Sequence, residues 1–145
     1  MSEPREDVDG EASREAPKPM LATVSQKAIL FGPDGRLLVL READGDWEFP
    51  GGRIDRGEAV MPALHRELRE ETGLSVTVGG PVHTAVRKRH DRGKFFVYYR
   101  CATDEADVTL SEEHVDSEWT TPERARDRLN DRCRSALERV LGREE

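Results

Sequence analysis

The sequence predicts an α/β domain in which a mixed β-sheet is sandwiched between helices. Three observations support this fold class. Short β-prone segments precede a helix predicted at 63–72, an aromatic strand follows at 94–102, and an amphipathic helix runs from Thr121 to Leu141. Strands and helices in this order pack as layers around a shared core. With 145 residues, the chain is long enough for one domain and too short for two of ordinary size.

The first twenty residues differ in composition from the rest of the chain. They contain six acidic residues, three basic residues and three prolines, with almost no apolar side chains. Such a segment cannot bury enough apolar surface to offset the entropy lost on ordering. We therefore expect residues 1–20 to form a disordered acidic tail and residues 21–145 to form the folded domain.

The domain begins with a predicted β-hairpin. Residues 24–31 and 36–41 read as strands, and a Gly-Pro-Asp-Gly turn at 32–35 separates them. Trp47 and Phe49 then alternate with a glutamate, which is the period of a strand with one buried face. We interpret both aromatic residues mainly as packing residues, with stacking of Phe49 on a substrate base as the alternative.

The first predicted helix carries an unusual charge pattern. Glu67, Glu70 and Glu71 stand at i, i+3 and i+4, so three carboxylates project from one face. Each like-charge pair costs roughly 0.2–0.5 kcal/mol, and the helix dipole disfavours acids in the last turn. A hard divalent cation would make the cluster favourable, because Mg²⁺ and Mn²⁺ prefer oxygen ligands. The alternative is a solvated helix end that Arg66 and Arg69 partly neutralise.

The loop before this helix completes a longer pattern. Two adjacent glycines precede the loop and allow the backbone to approach a ligand closely. Glu58 is expected to open the helix. The nine fixed positions, separated by gaps of five, seven, one and one residues, are Gly52, Glu58, Arg66-Glu67-Leu68, Glu70-Glu71 and Gly73-Leu74. This pattern resembles the Nudix box at every fixed position.

The resemblance implies the Nudix fold and a Nudix hydrolase activity. Such enzymes cleave a nucleoside diphosphate linked to another moiety, by attack of water on phosphorus, with Mg²⁺ or Mn²⁺ as cofactor. Arg66 would orient a catalytic glutamate, either Glu67 or Glu70, through a charge-assisted hydrogen bond. The implied metal site consists of Glu67, Glu70, Glu71 and the backbone of Gly52, with Glu58 supporting either the loop or the metal cluster.

Members of the family often carry a further glutamate in a loop beyond the box, where it completes the metal site or acts as a base. Glu113 is the candidate here and Glu112 is the second choice, although ordinary loop acids would give the same sequence. His114 could orient such an acid, but we expect it to face solvent.

A basic segment lies between the last two predicted strands of the sheet. Residues 87–94 carry five positive charges and one negative charge in an otherwise acidic protein. The simplest interpretation is a solvated hairpin tip with its turn at Asp91-Arg92-Gly93 and an exposed His90. The alternative is that Arg87 and Arg89 bind substrate phosphates.

The remaining elements are predicted from local patterns. Residues 75–78 and 82–87 read as strands separated by a turn at 79–81, and the strand at 94–102 is expected to be central and buried. The terminal helix begins with a threonine cap and a proline in its first turn, and Cys133 lies on its apolar face.

Composition also limits the partners and the location. The net charge of −7 argues against a nucleic acid held on a broad basic surface. Two cysteines and the lack of a signal peptide or a membrane-length apolar run favour a reduced, cytoplasmic protein without a membrane partner. The resemblance allows a homodimer, since Nudix enzymes are often dimers.

The segment WEFPGG indicates the substrate class, because it is similar to the corresponding segment of MutT-like nucleoside triphosphate pyrophosphatases. The predicted reaction is hydrolysis of a (d)NTP, a small-molecule nucleotide, to the monophosphate and pyrophosphate. Two alternatives stay open: hydrolysis of ADP-ribose or another nucleoside diphosphate-linked substrate, and a non-catalytic nucleotide-binding module that regulates another process.

Overall fold

The computed structural model describes residues 16–89 and 92–143, without the side chains of Arg89 and Arg143. Most of the predicted tail lies outside these residues, as do His90 of the predicted hairpin tip and Asp91 of its predicted turn. Arg92 and Gly93, the other two residues of that turn, belong to a strand instead. Within the described residues, no helix is long and apolar enough to cross a membrane. The elements are β1 (Ala22–Phe31), β2 (Leu37–Glu42), β3 (Trp47–Glu48), β4 (Gly51–Arg53), α1 (Val60–Thr72), β5 (Thr77–Arg89), β6 (Arg92–Ala102), β7 (His114–Thr120), α2 (Pro122–Arg128) and α3 (Asp131–Arg143).

The strands form one mixed sheet in the order β3-β2-β1-β6-β5, while β4 pairs with β1 and β7 pairs with β2. Only β1 and β6 run parallel among the described strands, in a register that extends from Ala22 opposite Gly93 to Phe31 opposite Ala102. The other pairs are antiparallel. The predicted central position of the aromatic strand is confirmed, because β6 lies between β1 and β5.

Helices cover both faces of the sheet. On one face, Leu64 and Leu68 of α1 pack with Ala28 and Leu30 of β1. On the other face, the side chain of Ile29 packs with residues of α2 and α3. All five side chains are fully buried, and each buried leucine or isoleucine stabilises the fold by about 1.5–3 kcal/mol. The predicted α/β/α arrangement is confirmed.

Helix α1, which carries the cluster of glutamates, begins earlier than its apolar pattern predicts. α1 starts at Val60 after the extended residue Ala59 and ends at Thr72, and Gly73 caps it with the left-handed φ of 74° expected at that position. Glu58 therefore does not open the helix. Its carboxylate instead accepts a hydrogen bond from the Asp55 N–H at 2.8 Å, which closes the preceding loop.

The turn predicted at residues 79–81 is wrong. These residues belong to β5, where the register with β6 shifts between Val78 and Pro81 and again between Pro81 and His83. The glycines and the proline are thus accommodated as bulges, because pairing with the long β6 continues on both sides of them.

The predicted single terminal helix is divided into α2 and α3. Thr121 caps α2 as predicted, accepting a hydrogen bond from the Arg124 N–H at 3.3 Å. Leu129 then has an extended conformation, with φ −80° and ψ 154°. Asn130 begins the second segment, since its Oδ1 accepts a hydrogen bond from the Cys133 N–H at 2.9 Å.

Candidate active site

A cavity of about 340 Å³ opens where β1, β4 and α1 meet the loop before β7. Carboxylates from distant parts of the chain converge there, so we refer to it as the acidic cavity. Several carboxylates rarely lie close together and partly buried unless a cation or a proton compensates their negative charge. The residues that define the acidic cavity are Glu48, Gly52, Glu67, Glu71, Glu113 and His114.

Glu71 is the most deeply buried acid of the cavity, with 4% of its surface exposed. Burial raises the pKa of its carboxyl group to about 7, although a hydrogen bond from the Gly51 N–H at 2.9 Å favours the carboxylate. Solvent water therefore stabilises the negative charge of the Glu71 carboxylate poorly. A bound cation would supply that compensation.

The backbone of the two glycines fits closely between β1 and α1. Gly51 has a φ of 147°, and a Cβ there would collide with the Gln26 carbonyl and lie 2.9 Å from the Lys27 Cα. At Gly52, a Cβ would lie 2.8 Å from Oε2 of Glu67 and closer still to two other atoms of that carboxylate. The Glu67 carboxylate thus rests directly on the Gly52 backbone.

Arg66 is surrounded by carboxylates. Its Nε and Nη2 donate to the two oxygens of Glu58 at 2.6 and 2.9 Å, which is the bidentate geometry that favours arginine over lysine. Its Nη1 lies 3.1 Å from oxygens of both Glu67 and Glu70. The hydrogen bond from Arg66 lowers the pKa of Glu58. Arg66 consequently fixes the orientation of three acids of the box.

The predicted ligands do not all face the same way. Glu67 and Glu71 line the acidic cavity, whereas Glu58 and Glu70 are not part of its lining in the described structure. Both oxygens of Glu58 accept hydrogen bonds from Arg66, so this residue supports the loop. The Glu70 side chain is 58% exposed and forms an ion pair with Arg66.

Glu113 and His114, at the start of β7, also line the acidic cavity. Side-chain ligand atoms of Glu71, Glu113 and His114 lie within 4.8 Å of one another. The expectation that His114 faces solvent is wrong: it is 7% exposed, and its Nε2 lies 2.9 Å from Oε2 of Glu48. This hydrogen bond raises the pKa of His114 against the opposing effect of burial.

The sequence interpretation missed Lys27, Glu42 and Glu48, which also line the acidic cavity. Glu48 lies 3.3 Å from the Lys27 ammonium group, and side-chain atoms of Glu42, Glu48 and His114 lie within 4.8 Å of one another. Burial opposes ionisation of Glu48, but its hydrogen bond to His114 and the nearby Lys27 lower its pKa. The available signal was Lys27 itself, because a lysine inside an apolar strand needs a buried partner.

A second cavity of about 290 Å³ adjoins the first, and Lys27, Glu42, Glu48 and Lys94 are among the residues that line both. We refer to the second as the basic cavity and define it by Lys27, Trp47, Arg87, Lys94, Phe96 and Arg132.

The three predicted substrate-binding residues have different positions. Arg87 lines the basic cavity. Phe49 is fully buried and packs edge-on against Tyr98, with ring centroids 6.4 Å apart, so it belongs to the core. The side chain of Arg89 lies outside the described part of the structure.

The donor set of the acidic cavity fits a hard divalent cation. Oxygen atoms predominate, the buried Glu71 lacks a full positive partner, and Nδ1 of His114 has no hydrogen-bond partner among the described residues. Mg²⁺ and Mn²⁺ prefer carboxylate and carbonyl oxygens. The residues present are therefore suited to a divalent metal, without identifying which one.

A comparison with protein-family models decides the family. The model described as the NUDIX domain matches residues 22–140. The chain belongs to the Nudix family. A MutT-like protein of Streptomyces ambofaciens is 36% identical over 117 residues, covering 80% of this chain and 75% of that protein. The CTP pyrophosphohydrolase of Escherichia coli K12 is 35% identical over 104 residues, covering 68% of this chain and 76% of the relative.

Solved structures agree with the fold. The crystal structure of a MutT protein from Methanosarcina mazei Go1 superimposes with a TM-score of 0.79 at 23% sequence identity, covering 89% of this chain and 99% of that one. This likeness establishes the Nudix fold. The family match and the curated relatives make the chain a Nudix pyrophosphohydrolase, a class that generally depends on a divalent metal.

Proposed function

We propose that this Nudix hydrolase converts a nucleoside or deoxynucleoside triphosphate and water into the monophosphate and pyrophosphate, with Mg²⁺ or Mn²⁺. The observation that carries the proposal is the junction of the acidic cavity with a cavity lined by cations. A polyanionic nucleotide can span both. The similarity to a relative named CTP pyrophosphohydrolase supports a triphosphate as the substrate.

The residues proposed to hold the metal are those of the acidic cavity and its rim. When bound, a divalent ion neutralises phosphoryl oxygens and lowers the pKa of a coordinated water. Arg66 acts on this set indirectly, because it holds Glu67 and Glu70 at 3.1 Å from its Nη1. The proposed ligands are Glu67, Glu70, Glu71 and the carbonyl oxygen of Gly52, joined by Glu113.

The proton of the attacking water needs an acceptor. Water forms a bond to phosphorus while the bond from phosphorus to the bridging oxygen breaks, and one proton leaves the water. Glu113 and Glu67 both line the acidic cavity, and either carboxylate can accept that proton. Glu113 is exposed, so it can pass the proton on to solvent.

The setting proposed for this reaction is the cytoplasm, where small-molecule nucleotides and Mg²⁺ are both available. No nucleic acid or membrane partner is required for it. Assembly as a homodimer stays a prediction from the resemblance.

Release of phosphate or pyrophosphate from a substrate panel tests the proposal. The panel contains the common dNTPs, 8-oxo-dGTP, ADP-ribose, dinucleoside polyphosphates and nucleotide sugars, each with and without Mg²⁺. We expect metal-dependent pyrophosphate release from triphosphates, and release slower by about 100-fold or more from the Glu70→Gln variant. Turnover restricted to ADP-ribose or another linked diphosphate would reject the triphosphate assignment. Tight nucleotide binding without turnover would place the protein among non-catalytic modules.

A further inference from the structure

His114 combines burial with a ring nitrogen that has no partner. The residue is 7% exposed, and its Nδ1 makes no hydrogen bond among the described residues. Buried polar atoms are normally paired, so an unpaired one requires an explanation, such as an ion that it binds. Of the histidines in the described part of the chain, His114 is the one that lines the acidic cavity.

The other ring nitrogen is already engaged. Nε2 lies 2.9 Å from Oε2 of Glu48, and an ionised carboxylate only accepts hydrogen bonds, so Nε2 is the donor. In the neutral ring, Nδ1 then carries the lone pair that can bind a metal. A histidine that binds a metal through one nitrogen almost always donates its other N–H to a group such as a carboxylate. Glu48 therefore holds His114 in the tautomer that a metal ligand needs.

Two groups of potential metal ligands include His114, and in each group the ligand atoms lie within 4.8 Å of one another. The first group is Glu71, Glu113 and His114, and the second is Glu42, Glu48 and His114. In the second group, the Lys27 ammonium nitrogen lies 3.3 Å from Oε1 of Glu48, where it would repel a metal cation. The first group is therefore the better site for a cation, and it shares Glu71 and Glu113 with the proposed metal centre.

We propose that His114 supplies a nitrogen ligand to this metal centre, beside Glu71 and Glu113. The inference rests on the proposed function, and it adds a donor of a different chemical kind to the carboxylates. Mg²⁺ binds oxygen ligands, whereas imidazole nitrogen suits transition-metal ions. The consequence is a centre that favours Mn²⁺ over Mg²⁺ by more than oxygen ligands alone would.

Pulsed electron paramagnetic resonance of bound Mn²⁺ tests the assignment, because a nitrogen nucleus bonded to the ion modulates the electron spin echo. The protein is loaded with Mn²⁺ alone, without nucleotide, and is prepared with ordinary and with ¹⁵N-labelled histidine. One variant is His114→Gln. In the other, the remaining three of the four histidines, His65, His83 and His90, are all replaced by glutamine. Thermal melts establish that each variant is folded.

We expect nitrogen modulation that changes on ¹⁵N labelling in the wild type and in the triple variant, and its loss in His114→Gln. Wild-type protein without nitrogen modulation, or modulation that persists in His114→Gln, would overturn the inference. If His114→Gln does not fold, the triple variant decides the question, since His114 is then the only source of labelled nitrogen.

Calorimetric titration with Mn²⁺ and with Mg²⁺ measures the consequence for metal preference. We expect His114→Gln to weaken Mn²⁺ binding by about tenfold or more, because even indirect partners of metal ligands contribute about 10–100-fold. Mg²⁺ binding should weaken by about threefold or less, since glutamine offers an oxygen donor. His83→Gln is the matched control, because His83 packs against Tyr98 and lines neither cavity. Equal weakening for both ions in His114→Gln would contradict a nitrogen ligand.

The same measurements separate this inference from the proposed function, since they need no substrate. Mn²⁺ that binds without nitrogen modulation would reject the ligand, while hydrolysis of triphosphates could still be observed. Nitrogen modulation from His114 in a protein that hydrolyses no triphosphate would support the ligand and reject only the proposed reaction. A protein that binds no Mn²⁺ would overturn the inference.

Discussion

Arg66 and Arg132 belong to helices that cover opposite faces of the sheet, and their guanidinium groups have opposite surroundings. Arg66 lies within ion-pair distance of Asp55, Glu58, Glu67 and Glu70. Arg132 stacks on Phe96 and has a buried Nε without a partner among the described residues. Among the described residues, carboxylates compensate the charge of Arg66, whereas none lies within ion-pair distance of Arg132.

This difference corresponds to two roles that an arginine side chain can have near a binding site. A guanidinium group held by several carboxylates is rigid, and it fixes those carboxylates in turn, which is what preorganisation of a metal site requires. A guanidinium group without carboxylate partners has its hydrogen-bonding capacity available to a ligand. We therefore expect Arg66 to act as a positioning residue.

The largest effect is expected from neutralising the acids on the Arg66 side. Glu71→Gln and Glu70→Gln should each lower turnover by about 100-fold or more, because even indirect partners of metal ligands contribute about 10–100-fold. The fold should persist, since like-charge repulsion at the helix end decreases. Steady-state kinetics and thermal melts measure the two effects. Wild-type turnover in either variant would remove that residue from the proposed ligands.

A smaller effect is expected when lysine replaces Arg66, because the positive charge stays but the planar guanidinium group is lost. Arg66→Lys removes the paired hydrogen bonds to Glu58, so we expect kcat to fall by about 10–100-fold. Arg69→Lys, at an exposed position of the same helix, is the matched control and should leave kcat unchanged. If both variants retained wild-type kcat, charge alone would account for Arg66, and the contrast with Arg132 would lose its basis.

Gly52→Ala tests the contact between the loop and the helix. The added Cβ would displace the Glu67 carboxylate, so we expect the Mg²⁺ concentration for half-maximal activity to rise by about tenfold. Gly80→Ala places its Cβ in open space and serves as the control. An unchanged Mg²⁺ requirement in Gly52→Ala would show that the position of Glu67 is not critical.

The smallest effect is expected at Glu42, where the cavities join. A hydrogen bond with Glu48, together with burial, raises the pKa of Glu42 to about 7. The folded state therefore holds this proton more tightly, and the associated stability is present below pH 4.5 and lost as the pH rises through 7. Glu42→Gln should raise the melting temperature of the metal-free protein by about 1–2 °C at pH 8 and leave it unchanged at pH 4.5.

Differential scanning calorimetry at the two pH values measures this change. Glu112→Gln, which neutralises an exposed loop acid, is the control for the change in net charge. A melting temperature that rose equally at both pH values would assign the effect of Glu42→Gln to packing instead of proton binding.

Local sequence signals predicted the elements that have recognisable capping residues or a strand-forming composition. Gly73 ends α1 in the left-handed conformation, Thr121 caps α2, and the aromatic segment forms the central strand β6. The Nudix box similarly located Glu67 and Glu71 at one cavity. These features depend on residues that are neighbours in sequence, so their patterns are visible in the chain itself.

Long-range contacts account for the errors. The run at residues 79–81 carries the composition of a turn, but continuous pairing with β6 holds it in the sheet. His114 is buried, and it forms a hydrogen bond with Glu48, which lies 66 residues earlier in the chain. Leu129 fits the apolar period of one continuous helix, although the helix is interrupted there. Only Asn130, a favoured capping residue, indicated the interruption in the sequence. The partners of these residues are known only once the fold is known.

The parallel pairing of β1 with β6 also has a kinetic consequence. The Tyr99 hydroxyl donates a hydrogen bond to the Gln26 side chain at 2.9 Å across a separation of 73 residues. Contacts between such distant segments require a large loop to close first, which slows folding. On the ribosome, the whole Nudix box is synthesised before β6 appears. The maturation rate of the enzyme is therefore expected to depend on a strand that lies outside the motif by which its family is recognised.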